Sequence, residues 1–154
     1  MFILFFYCSL EFESKIIINK SIEEVFQFIS KQENHKHIFQ ANIDCRQITE
    51  GPMRVGAEVV NTASFLGSKM KEHFEIIVFE ENKQIRKKTL PNSTHPSEDC
   101  FTLTALSPSQ TEVNVYLIAW PTGVLKHFLF LVRPLFIRQV GKDMKGFKAY
   151  LEGL

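Results

Sequence analysis

A chain of 154 residues with 45% hydrophobic and 23% charged side chains has the make-up of one globular domain, long enough to bury a core and leave space for a pocket. Lys and Arg number 18 against 17 acids, and no basic stripe carries interleaved aromatics, so nucleic acid is excluded as an expected partner. Three cysteines, Cys8, Cys45 and Cys100, have no C-x-x-C spacing; they speak against a disulfide framework or a thiolate zinc site and for reduced thiols in a cytoplasmic protein.

The opening run MFILFFYCSL is apolar but has no basic flank and no small-x-small cleavage pattern, and it falls far short of the ~20 residues of a membrane span. Residues 1–10 read as a lead-in of no assigned role, and residues 11–154 as a single domain. EFESKIIIN alternates and then turns continuously β-branched, as a strand does. Ser21 and Glu24 form an S-x-x-E capping box, and Ile22, Val25, Phe26 and Ile29 follow at helical spacing. A second short helix or turn is expected over 34–39.

Strands joined by tight turns come next. NIDCRQIT leads through EGP to GAEVVNTASF, which turns at Leu66-Gly67-Ser68 into KMKEHFEIIVFE. QIRKKTL follows, with the charge run Arg86 to Lys88 reading as a solvated strand edge. The loop PNSTHPSED separates it from CFTLTAL and TEVNVYLIAW. Such short connections predict an antiparallel sheet. From Val124 to Leu154 the apolar positions advance by three or four, the pattern of one long amphipathic helix, and Pro134 inside it should kink it. The expected class is α+β: a curved antiparallel sheet of about seven strands, two short helices after the first strand, and a long C-terminal helix on the concave face.

Three stretches carry a family resemblance. INKSIEEVFQFIS resembles the first strand and helix of the START-like, helix-grip (SRPBCC) superfamily, QITEGPMRVGAEV its Gly-Pro turn between strands, and GFKAYLEGL the close of its last helix. Within that superfamily the chain is similar to the polyketide cyclase/dehydrase and lipid-transport group, with Phe26 at the first helix's usual Trp and NHKHIF where relatives carry a pocket-mouth Trp. The resemblance implies an apolar cavity between sheet and final helix and a small hydrophobic ligand such as a lipid, isoprenoid or polyketide; no cofactor is assigned.

Strand alternation nominates the wall of such a cavity. Met70, Glu72, Phe74, Ile76 and Val78 share one face of their strand, as do Val113, Val115 and Leu117, Phe101 and Leu103, and Val59 and Asn61. Phe128, Val132 and Phe136 would face them from the helix, with His37 and Phe39 at the mouth. The 15 phenylalanines fit either a Phe-rich core or the lining of a cavity.

Glu72 is the one catalytic candidate: a carboxyl facing an apolar cavity would have a raised pKa and could act as acid or base, whereas at the mouth it would be solvated or paired with Lys69 or Lys71. His35 and His37 form an H-x-H pair on an expected loop without the further ligands a metal needs, so no metal site is assigned. The segment HFLFLVRPLFI is apolar nearly all round, which burial on both sides, a dimer contact or docking at a membrane surface would each explain. The reading is a binder, or carrier, of a small hydrophobic ligand; the rivals are a cyclase or dehydratase using Glu72 with Asn61 or a histidine, and a co-chaperone-like module with a closed interior.

Overall fold

The computed structural model describes residues 9–65 and 67–154. The lead-in up to residue 8, with Cys8, and Leu66 of the expected turn lie outside the described residues.

The first strand, β1 (Leu10–Ile18), passes to α1 (Ile22–Ser30) through a three-residue link. The capping box explains the abruptness. Ser21 Oγ accepts from the Glu24 N–H at 3.3 Å, and the Glu24 carboxylate accepts from the Ser21 N–H at 3.1 Å. A cap of this kind is worth about 1 kcal/mol and sets the first turn without help from the rest of the chain. The Ser21 N–H, and next the Ser21 hydroxyl donating to the same carboxylate at 3.0 Å, hold the Glu24 carboxyl below its ordinary pKa.

After α1 come a 3-10 turn (Gln32–Asn34) and α2 (His35–Ile38), followed by β2 (Asn42–Gln47), β3 (Glu58–Phe65), β4 (Ser68–Glu80), β5 (Gln84–Thr89), β6 (Ser97–Ser107) and β7 (Gln110–Ala119). The seven strands form one sheet in the order β1-β7-β6-β5-β4-β3-β2, antiparallel at every pairing. β1 and β2 are therefore opposite edges, and α1 and α2 carry the chain across the concave face from one to the other. The tight handover at residue 19 starts that crossing at once.

One bulge changes the expected inward face. The β4–β5 register shifts between Ile76 and Val78, so Phe79, not Val78, lies opposite the buried Ile85. An extra residue in one strand reverses the alternation beyond it. Phe79 then meets Phe26 of α1 with ring centroids 5.4 Å apart.

The C-terminal segment departs from a single uniform helix. Gly123–Phe128 is a 3-10 stretch, and the α-helix proper, α3, spans Leu129–Glu152 with Pro134 inside it. Its second half closes the core. Val140, Met144, Phe147 and Leu151 are buried in one cluster with Val25, Phe28, Ile29, Phe101, Leu103, Val113 and Val115. Phe147 stacks on Phe28 at 5.8 Å. The end of α3 is tied to the end of β1, where the Asn19 N–H donates to Glu152 at 2.7 Å and Lys148 Nζ donates to the Ile17 carbonyl.

Candidate functional site

The two halves of α3 meet the sheet differently. Between residues 129 and 139 only Leu129 is buried; Phe130 and Leu135 are each 67% exposed, and Leu131 and Ile137 are exposed as well. Val132 and Phe136 are half-buried, while Phe128 in the preceding 3-10 stretch is exposed. Phe12 of β1, Leu117 of β7, Phe39 after α2 and Phe136 pack on the edge of the core cluster without being covered. The sheet is thus sealed at the β1 C-terminal end and left with a half-open apolar rim at the end where α3 begins.

The residues nominated from sequence divide between these regions. Val59, Asn61, Phe74 and Ile76 are buried on β3 and β4, and Phe101, Leu103 and Val115 lie inside the main core. Phe39, Leu117, Val132 and Phe136 share the half-open rim. Met70 and Glu72 are half-buried near the start of β4, where Glu72 is the register partner of Asn61. His37 stacks on Tyr150 of α3, centroids 4.3 Å apart and planes 7° from parallel.

The structure also brings together a buried polar cluster that the sequence reading missed, and it corrects the placement of Lys87. Expected at a solvated edge, Lys87 is 1% exposed on the inner face of β5, the middle strand of the sheet. Its Nζ lies 3.4 Å from Asp99 Oδ2 of β6, 3.4 Å from Gln32 Oε1 and 3.2 Å from His35 Nδ1, and 5.0 Å from the centroid of Phe74. Lys87 and Asp99 are register partners, so the ladder itself places acid beside base. Gln32 Nε2 donates onward to Asn61 Oδ1 at 2.5 Å.

The hydrogen bonds settle the state of His35. Its Nε2 is 2.8 Å from the Ile29 carbonyl, which can only accept, so Nε2 carries the proton. Nδ1 is then a lone pair facing the Lys87 ammonium, and the ring is neutral. Burial, and next the Lys87 charge, push its pKa well below the ordinary value. Burial also raises the Asp99 carboxyl, opposed by Lys87, and pushes the nearby Cys45 thiol up to about 11. Cys45 is consequently a protonated thiol, not a nucleophile.

The expected loop around His35 and His37 is helical instead: α2 turns His35 inward and sets His37 against Tyr150, so the two rings do not converge. Among the described residues no group of three His, Cys, Asp or Glu side chains could hold a metal ion. Glu72 accepts from Ser93 Oγ at 2.5 Å, in a cleft of about 270 Å³ lined by Lys71, His73 and residues 90–94. A similar cleft of about 270 Å³ lies across the same loop, against Trp120. Neither cleft lies between the sheet and α3.

No family model matches the chain, and no curated protein matches it. Solved structures do. A protein of Thermus thermophilus superposes with a TM-score of 0.75 at 17% identity, over 92% of this chain and 96% of that one. A START superfamily protein of Mycobacterium smegmatis gives 0.66 at 16% identity, over 93% and 94%. The Zhui aromatase/cyclase of Streptomyces gives 0.71 at 10% identity, over 94% of each. At such identities the likeness concerns the backbone. With its seven-stranded antiparallel sheet, two short helices after the first strand and long C-terminal helix, the chain has the START-like, helix-grip fold.

Proposed function

We propose that the protein binds a small hydrophobic molecule between the inner face of the sheet and the first half of α3. The carrying observation is the half-open rim: Phe12, Phe39, Leu117 and Phe136 pack on the core yet stay partly uncovered, and Val132, one turn before Phe136, is half-buried as well. Apolar surface left in water at the mouth of a fold costs about 25 cal/mol per Å², and a ligand that covers it recovers this. Protein purified from its own host and examined by native mass spectrometry, with organic extraction, is expected to carry a lipid, isoprenoid or polyketide-sized molecule. Empty protein that also takes up no hydrophobic fluorescent probe would overturn the reading.

Cyclase or dehydratase chemistry finds less support. Glu72 is the register partner of Asn61, but its carboxylate is engaged by Ser93, and among the described residues no hydrogen bond joins it to the Lys87 cluster. A carrier reading gains from the surface of α3. Phe128, Phe130, Leu131, Leu135 and Ile137 are exposed, and the charges from residue 121 to 142 are all cationic: Lys126, Arg133, Arg138 and Lys142. Exposed aromatics among cations suit the surface of an anionic bilayer. Co-sedimentation with vesicles containing phosphatidylserine should exceed that with phosphatidylcholine alone and fall as salt rises; equal sedimentation with both would remove the electrostatic part of the idea.

A further inference from the structure

The buried polar cluster bears on the ligand's head group, an inference that rests on the binding reading above. Its donors and acceptors can be counted. The Lys87 ammonium has three hydrogens and three acceptors around it: Asp99 Oδ2, Gln32 Oε1 and His35 Nδ1. His35 Nε2–H is spent on the Ile29 carbonyl, and Gln32 Nε2 on Asn61. Among the acceptors of the cluster Asp99 is the unsaturated one; the donors left over are the Asn61 amide hydrogens and one hydrogen of Gln32 Nε2, which have no partner among the described residues. An ionised carboxylate offers about four lone-pair sites, and among the described residues Lys87 is the only side chain paired with it.

Asp99 is also the member of the pair that is not sealed, with 13% of its side chain exposed against 1% for Lys87. The sheet register says what borders it. Moving away from Lys87, the next residue in the same cross-strand row is Leu117 of β7, and the next is Phe12 of β1. Both belong to the half-open rim beneath the first half of α3. A molecule lying on that rim would have apolar neighbours along its body and a carboxylate oxygen at one end.

We infer that Asp99 is the polar anchor of this site and that the molecule it holds is an uncharged hydrophobe bearing a hydroxyl group. A carboxylate head would set a second anion against Asp99 while every Lys87 hydrogen is already committed. An ammonium head would set a second cation near Lys87. Both repulsions are strong where water is thin. A hydroxyl donates its hydrogen to the open carboxylate oxygen and adds no net charge, and a hydrogen bond to a charged acceptor is among the stronger ones.

The test uses the intact chain and three probes of one chain length at neutral pH: 1-decanol, decyl methyl ether, which cannot donate, and decanoate. Titration calorimetry is expected to find the alcohol bound about tenfold or more tightly than the ether, with decanoate also weaker than the alcohol. In Lys87→Met/Asp99→Leu the ether should still bind and the advantage of the alcohol should vanish. If that pair fails to fold, Asp99→Asn serves, with a several-fold smaller advantage expected. Equal binding of all three probes, or decanoate binding tightest, would overturn the hydroxyl assignment and leave the hydrophobic site standing. A preference for the alcohol that survives loss of the Asp99 charge undiminished would show that another group holds the head. Absence of binding by every probe would take down both readings together.

Discussion

Lys87→Met should lower the free energy of unfolding by about 3–5 kcal/mol, the cost of leaving a buried charge without its partner. Asp99 keeps little contact with solvent, and among the described residues Lys87 is the one charged side chain paired with it. Methionine fills most of the volume on β5 and can still lie against Phe74, so packing loss is the lesser part of the effect. His35 Nδ1 and Gln32 Oε1 also lose their donor. Lys87→Met/Asp99→Leu should recover much of the loss, because a buried ion pair replaced whole by apolar residues is often neutral or stabilising. Urea unfolding of the parent, both single variants and the pair measures this as a coupling energy. A Lys87→Met protein as stable as its parent would mean that Asp99 is solvated and the pair is not interior.

That pair also marks how far the sequence could be read. The start of α1 was legible because its cap is local: Ser21 and Glu24 are three residues apart and need nothing else. The hairpins were legible from their turn residues, and alternation placed Val59, Phe74 and Ile76 on the buried face. Alternation then failed at a bulge that no residue announces, and Phe79 replaced Val78.

Lys87 was misplaced for a different reason. Ile85, Lys87 and Thr89 share a strand face, and so do Asp99, Phe101 and Leu103, so the inward direction of both charges was in principle readable. A charge on a strand is solvated unless a partner meets it, however. The partner depends on the β5–β6 register, set by a loop over residues 90–96 whose conformation the sequence does not dictate. The half-open rim was hidden too. Apolar periodicity runs unbroken from Leu125 through Leu151, and nothing in it tells where the helix stops covering the sheet.

Acid should destabilise the fold well before its carboxylates protonate in bulk, and His35 is the expected cause. The ring is 2% exposed and held neutral, so its folded pKa is well below the value of about 6.5 that it regains on unfolding. Between those two values the unfolded chain binds more protons than the folded one, and stability must rise with pH through that range. The contribution is complete above about pH 6.5 and is lost as pH falls toward the folded pKa, at about 1.4 kcal/mol for each unit of separation.

Other groups act on the same curve with known signs. Burial raises the Asp99 and Asp143 carboxyls, which favours the folded state as pH falls, while the lowered carboxyls of Glu24 and Glu152 act the other way at lower pH. Over the stretch from about pH 7 down to about pH 5 the difference between the parent and a variant without the ring therefore isolates His35. His35→Gln keeps an acceptor for Lys87 and a donor for the Ile29 carbonyl without a titrating ring. Urea midpoints measured across that stretch should fall for the parent and stay nearly level for His35→Gln. Parallel slopes in the two proteins would place the proton uptake elsewhere. A level parent curve would mean that the ring accepts a proton in the folded state as easily as in the unfolded one, which a lone pair facing a buried ammonium does not allow.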